Sequence, residues 1–209
     1  MPTYKLIYFD IRGLAEPARQ LFHLGGVPFE DKRYGHGDGS FDKDKSKMPF
    51  GQLPVLEVSG TQIPQSSAIC RYLARKFGYA GKTPEEEAMV DAIVDQWKDF
   101  GVSLRQVFIA KRTGKSVDEI EKITKEVYMP AQEAWFKILN GLLEKSKSGW
   151  LVGDKITWAD LTVVDSLVTL EKFGFWSPKE EKKLAALKKK VHSAPKLKDY
   201  IAARPDSEY

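Results

Sequence analysis

The spacing of apolar positions changes part-way along the 209-residue chain. Before Gly78, strand-like and helix-like periods are mixed. Tyr4-Lys5-Leu6-Ile7-Tyr8-Phe9 is rich in β-branched and aromatic residues and predicts a strand. Glu16 to Leu24 carries Ala18, Leu21 and Phe22 and is stopped by Gly25-Gly26, which predicts a helix. A second strand is expected over Pro28 to Tyr34. Val55 to Val58 and Thr61 to Ile63 flank Ser59-Gly60, the pattern of a hairpin with a two-residue turn. Ser66 to Phe77 sets Ile69, Cys70, Leu73 and Phe77 at helical spacing. The order β-α-β, an irregular stretch, then β-β-α predicts an α/β unit with a mixed four-stranded sheet.

From Thr83 onward strand signals stop and helix starts recur. Thr83-Pro84-Glu85-Glu86 combines a capping hydroxyl, a proline in the first turn and a glutamate three residues on. Ser177-Pro178-Lys179-Glu180 repeats the device, Ser116-Val117-Asp118-Glu119 is a third capping box, and Thr157-Trp158-Ala159-Asp160 a close relative. Amphipathic runs follow over roughly 85–111, 117–146, 158–173 and 179–192, with a short one near 196–204. Two domains are therefore expected: an α/β domain over 1–78 and an all-helical domain over 85–209, joined by a linker at 79–84.

Composition narrows the function classes. The chain is 42% apolar and 30% charged, enough for a buried core. A net charge of +4 is too mild for a nucleic-acid binder. The eight lysines from Lys179 to Lys198 alternate with Leu184, Leu187, Val191 and Leu197, which reads as the solvated face of packed helices. A single cysteine, Cys70, allows no intrachain disulfide. No run approaches about 20 apolar residues, so no membrane span is expected. The start has no secretory pattern, and a reduced, cytoplasmic protein is the expectation. Several motifs fail on inspection. Gly81-Lys82-Thr83 follows a helix and lacks the first glycine of a phosphate loop. His23, His36 and His192 have no ligand spacing, so no metal is expected. No Cys-x-x-Cys supports disulfide exchange.

Four segments carry a resemblance. They are Tyr4-Lys5-Leu6-Ile7-Tyr8-Phe9-Asp10-Ile11-Arg12-Gly13, Pro49-Phe50-Gly51-Gln52-Leu53-Pro54-Val55-Leu56, Gln65-Ser66-Ser67-Ala68-Ile69-Cys70-Arg71-Tyr72-Leu73 and Leu151-Val152-Gly153-Asp154-Lys155-Ile156-Thr157-Trp158-Ala159-Asp160. In this order they resemble the cytosolic glutathione transferases: a thioredoxin-like, glutathione-binding domain followed by an all-α domain. The pattern is most similar to the sigma class, which includes the haematopoietic prostaglandin D synthase and many invertebrate enzymes.

The resemblance implies a chemistry. A free thiol titrates near pH 8.5, and lowering that by two units requires about 2.7 kcal/mol. By position alone Tyr8 is a strand tyrosine; by resemblance its phenol, protonated near neutral pH, donates to the glutathione sulfur. Gln65 and Ser66 open a helix, whose free N–H groups suit the γ-glutamyl carboxylate; Ser66 also reads as a simple N-cap. Pro54 stands at a strand start and by resemblance is cis, with Leu53 offering its backbone to the cysteinyl unit. Gln52 and Lys45 would hold the glycyl carboxylate, and Phe41 aligns with the family's loop tryptophan. Asp91, Asp95 and Asp99 share one helix face, either solvated or at a subunit interface. In the family that helix meets a partner subunit, which implies a homodimer, and Asp99 would reach the α-amino group of the partner's glutathione. Arg71, Arg75 and Lys76 are candidate basic partners. Phe9, Gly13, Leu14 and the C-terminal Tyr209 would line the pocket for a hydrophobic second substrate. No bound cofactor is implied; glutathione is the co-substrate.

The chain also departs from the pattern. Leu14 stands where many sigma-class members carry arginine, and the pocket tryptophan of the prostaglandin synthase is replaced near Gln106. Conjugation to small hydrophobic electrophiles, a detoxification chemistry, is the expected activity. The competing expectations are a non-catalytic carrier of haem or other hydrophobic ligands, and a glutathione-dependent prostaglandin isomerase.

Overall fold

The computed structural model describes residues 2–207. Its elements run β1 (Tyr4–Phe9), α1 (Glu16–Gly25), β2 (Glu30–Tyr34), β3 (Val55–Val58), β4 (Thr61–Pro64), α2 (Ser66–Phe77), α3 (Pro84–Arg112), α4 (Val117–Ile123), α5 (Met129–Lys145), α6 (Trp158–Lys172), α7 (Lys182–His192) and α8 (Pro195–Ala203). The sheet has the order β2-β1-β3-β4, with β1 parallel to β2 and antiparallel to β3.

Alternation along β1 splits its side chains between two faces. Tyr4, Leu6 and Tyr8 enter the main core with Leu21 of α1 and Ile69 of α2. Ile7 enters a smaller cluster with Tyr34, Met48 and Val55 on the opposite face. Tyr8 therefore points toward α1. That helix is wedged among α2, α6 and α8, so Glu16, Arg19 and Gln20 are buried along with Leu21 and Phe22. Gly26 ends α1 at φ 63, in the left-handed region glycine adopts without a Cβ clash.

In the helical part, α6 is the central element, burying Trp158, Leu161, Val163, Val164, Leu167 and Leu170. The Asp160 carboxylate accepts from the Thr157 and Leu151 backbone N–H groups and from Thr157 Oγ1, at 2.7 to 2.9 Å. Burial nevertheless raises its pKa to about 6. The Thr83 hydroxyl caps α3 through Glu86 N–H, and Ser116 and Glu119 form a reciprocal box at α4. Segment 79–84 is itself packed: Ala80 is buried, and Tyr79 bonds the Leu24 carbonyl through its hydroxyl.

Two sequence expectations are corrected. Ser177-Pro178-Lys179-Glu180 does not start a helix. Glu180 N–H closes a turn on the Ser177 carbonyl, and α7 begins at Lys182. The run over 117–146 is not one regular helix. It widens into a π-turn over Thr124–Tyr128, just before Pro130, which lacks an N–H and crowds the carbonyl one turn back.

Candidate functional site

The chain after β1 turns back on Tyr8. Gly13 adopts φ 43, and the next residue, Leu14, donates its backbone N–H to Tyr8 Oη at 3.1 Å. A Cβ on Gly13 would lie 2.6 Å from that oxygen, so the approach requires glycine. Tyr8 is 6% exposed. Its hydroxyl accepts the Leu14 bond, and among the described residues nothing accepts its own proton. Burial raises its pKa above the ordinary phenol value, against the Leu14 hydrogen bond and the Arg19 cation. The hydroxyl is therefore a neutral donor with an unused proton.

Leu14 also lines a cleft with Gln52, Leu53, Pro54, Gln65 and Ser66, closed by Phe50 and Pro64. The Leu53–Pro54 peptide bond is cis. Among the described residues, the Leu53 backbone makes no hydrogen bond, which leaves its N–H and C=O free for a ligand. Gln65, not Ser66, occupies the N-cap of α2, and its side chain caps nothing. It holds φ 75, a conformation that costs a non-glycine residue about 1–3 kcal/mol. The first N–H groups of α2 are thus uncapped and face a cleft, the arrangement that binds carboxylates.

A buried charge network that the sequence reading missed stands behind Tyr8. Arg19 is 1% exposed. It donates to the carbonyls of Ile11 (2.7 Å), Phe9 (3.2 Å) and Arg12 (3.3 Å) and to the Asp31 carboxylate (3.1 Å). Its guanidinium carbon is 5.8 Å from the Tyr8 ring centroid. Arg12 binds Asp165 at 2.7 Å. Glu16 receives Arg204 at 2.6 Å and the Tyr200 hydroxyl at 3.0 Å. Arg12 lay inside a recognised segment, but nothing in the local pattern marks Glu16, Arg19 or Asp165 as buried.

Other anticipated residues lie apart. Phe41 is half-buried, edge-on to Phe9 (5.8 Å) and Tyr34 (5.4 Å). Phe9 also meets Tyr8 edge-on at 5.4 Å. The exposed Lys45 runs its stem past Gly51, beside Gln52. Asp99 is exposed on α3 and does not enter the cleft. Arg71 and Arg75 are paired within the chain, to Asp91 at 2.7 Å and Glu87 at 2.9 Å. Tyr209 lies outside the described residues. Burial pushes the Cys70 thiol up to about 12, so it is no nucleophile. Among the described residues there is no metal-holding cluster, and no helix is long and apolar enough to cross a membrane.

Comparison with known proteins gives one consistent result. Residues 4–75 match the family described as glutathione S-transferase, N-terminal domain, and residues 102–204 match the C-terminal domain. Glutathione S-transferase 4 of Caenorhabditis elegans is 51% identical over 207 residues, covering 99% of each chain. A solved glutathione S-transferase of the same organism is 54% identical, with a TM-score of 0.91, over 99% of this chain and all of that one. A Nu-class enzyme of Haemonchus contortus is 46% identical, with a TM-score of 0.90, over the whole of both chains.

Proposed function

The chain belongs to the glutathione S-transferase family, and from that premise we propose that Tyr8 is the residue that activates the glutathione thiol. Its activity is glutathione transfer, with glutathione as co-substrate and no prosthetic group. Relatives of that name over the full length favour conjugation over the carrier and prostaglandin isomerase readings.

One observation carries the assignment: a buried, protonated phenol whose oxygen is held by Leu14 N–H while its proton stays unused. A hydrogen bond to a charged group contributes about 1.5–3 kcal/mol. That amounts to one to two units of thiol pKa, enough to make the thiolate a major species near neutral pH. The thiolate then attacks the electrophile, forming the carbon–sulfur bond as the leaving group departs or as the acceptor takes up the electron pair.

The rest of the site follows from the same reading. Gln65, Ser66 and the start of α2 hold the γ-glutamyl carboxylate; the Gln65 backbone strain supports a binding role. The Leu53 backbone pairs with the cysteinyl unit, and Gln52 with Lys45 takes the glycyl carboxylate, beside the Phe41 loop. Phe9, Gly13 and Leu14 border the site of a small hydrophobic electrophile, consistent with a detoxifying enzyme. Phe50 is 63% exposed and Met89 47% exposed. These apolar side chains support a homodimer formed through the Phe50 loop, α2 and α3, with Asp99 reaching the partner's glutathione. Residues 1–78 and 85–209 are taken as its two domains. The motifs favour a sigma-like class, Leu14 being the departure, and a cytoplasmic location.

The test is glutathione conjugation to a generic aromatic electrophile by the native protein and by Tyr8→Phe. The expected result is turnover that falls at least tenfold in the variant, with glutathione affinity largely kept. Unchanged turnover in Tyr8→Phe would move thiol activation to another residue. Negligible turnover in both, with tight haem binding, would favour the carrier.

A further inference from the structure

We propose that Arg19 is a positioning residue for thiol activation, fixing the turn that holds the Tyr8 hydroxyl and setting the positive potential behind it. The proposal rests on the Tyr8 reading and extends it to a residue outside the cleft.

The positioning argument is geometric. The three carbonyls that Arg19 binds belong to Phe9, Ile11 and Arg12, the leg of chain between Tyr8 and Gly13. Those bonds fix where Gly13 turns and where Leu14 N–H points, which is at Tyr8 Oη. A guanidinium presents five donors in a rigid fork. A lysine ammonium has three donors on one atom and cannot span these carbonyls and Asp31 together.

The electrostatic argument comes from counting the ion-paired cluster, buried at Arg12, Glu16, Arg19 and Asp165 and partly exposed at Arg33 and Asp31. Four guanidiniums, those of Arg12, Arg19, Arg33 and Arg204, share three carboxylates, those of Glu16, Asp31 and Asp165. Glu16 is divided between Arg19 and Arg204, and Asp31 between Arg19 and Arg33. One positive charge is left over on the side of the protein behind Tyr8. Leu14 brings none at the position where the sigma pattern has arginine. A positive charge near a thiol favours its anion. The other titratable groups at the cluster are His23 and Tyr200, stacked at 3.9 Å, and His192, near Arg204 and Arg12. Burial lowers the pKa of both histidines and raises that of Tyr200, so all three are neutral near pH 7. Asp165, driven upward by burial against Arg12, is common to every variant below, so differences between profiles come from the substitution itself: Arg19→Lys keeps the positive charge and removes the fork that holds the turn, whereas Asp31→Asn removes a negative charge.

The experiment compares the native protein with Arg19→Lys, Asp31→Asn and Tyr8→Phe. It reads the pH dependence of kcat/KM toward an aromatic electrophile at saturating glutathione, and the ultraviolet absorbance of the bound thiolate. In Arg19→Lys the apparent thiol pKa is expected to rise by about one unit, so that about tenfold less thiolate forms at acid pH. In Asp31→Asn, where a carboxylate is removed from the guanidinium, it is expected to fall. Opposite shifts are not produced by loosened structure. If neither pKa moves and only kcat or the glutathione KM changes, Arg19 merely holds the fold and the proposal is overturned. Asp31 is partly exposed, so Asp31→Asn decides the matter if Arg19→Lys does not fold. Tyr8→Phe separates the two readings. A thiol pKa unchanged from the native enzyme there defeats the Tyr8 assignment itself; a raised one, with Arg19→Lys and Asp31→Asn both unshifted, defeats only this inference.

Discussion

Gly13→Ala probes how closely Tyr8 must be held. The added methyl would stand 2.6 Å from Tyr8 Oη, 3.0 Å from Cε1 and 3.2 Å from Cζ. Non-bonded carbon contacts rest at about 3.5–4.0 Å, so the hydroxyl must retreat by about 1 Å. The ring cannot absorb this by rotating into free space, because Tyr8 is buried and edge-on to Phe9. Two separate effects follow. Alanine at φ 43 loses about 1–2 kcal/mol to left-handed strain, which for a chain of this size lowers Tm by about 2–4 °C per kcal/mol. Independently, a displacement of about 1 Å is enough to cost on the order of 100-fold in rate. The bound is the whole hydrogen bond to the thiolate, about 1.5–3 kcal/mol, or about 10- to 150-fold. The assay is kcat/KM for conjugation between pH 6 and 9, beside thermal unfolding of the same preparation. The expected profile is shifted to higher pH and converges on the native rate once free thiol ionises unaided. Gly13→Ala with the native pH profile, whatever its Tm, would refute the claim that the turn sets the hydroxyl.

Further outcomes follow from the same geometry. Leu14→Arg, at a side chain 44% exposed in the cleft, places a cation by the sulfur. The apparent thiol pKa should fall by about one unit or less after solvent screening, read as a several-fold gain in kcat/KM near pH 6.5. His192→Gln tests a histidine whose pKa is lowered to about 4, by burial first and then by Lys188 and Arg204. The unfolded chain takes a proton near pH 6.5 that the folded chain refuses until about 4, so the native protein loses stability as pH falls through that window. The loss, discounted for partial exposure, is about 1–2 kcal/mol; between pH 7 and 4 urea unfolding should show the native protein losing that much more stability than His192→Gln, the other titrating groups being common to both. The double variant Arg12→Met with Asp165→Leu removes a buried ion pair as a unit. Its stability should change by less than about 2 kcal/mol in either direction, whereas Asp165→Asn alone should lose about 3–5 kcal/mol by leaving Arg12 without its counter-ion; equilibrium unfolding distinguishes the two.

The elements that sequence pattern predicts well are those whose cause is local. β1 follows from its run of aromatic and branched residues, α2 from helical spacing, and the hairpin from Ser59-Gly60. The Ser116 box works because donor and acceptor are three residues apart. The same signature at Ser177 fails because Glu180 closes a turn there instead of reaching back to a cap. The cleft was legible through the recognised segments around Leu53, Pro54, Gln65 and Ser66. The network behind Tyr8 was not. Glu16 meets Arg204 across 188 residues of chain and Tyr200 across 184. No window of sequence contains both partners, and a charged residue on α1 reads as solvated until α6 and α8 are known to cover it.

That network ties the helical half to the candidate site although, among the described residues, it contributes none to the lining of the cleft. An apolar contact between α1 and α6 could repack after a small slide, because hydrophobic burial is non-directional. Arg12 on Asp165 and Glu16 on Arg204 do not tolerate one, since a slide would strand a charge inside the protein. A hydroxyl that must meet a sulfur needs placement within about 0.5 Å. Its immediate support is the Gly13-Leu14 turn, whose carbonyls lean on Arg19. Arg19 leans on Glu16 at 3.5 Å, and Glu16 on α8. The chain of support from Tyr8 thus ends in the second half of the molecule, and the position of its hydroxyl is a property of both halves together.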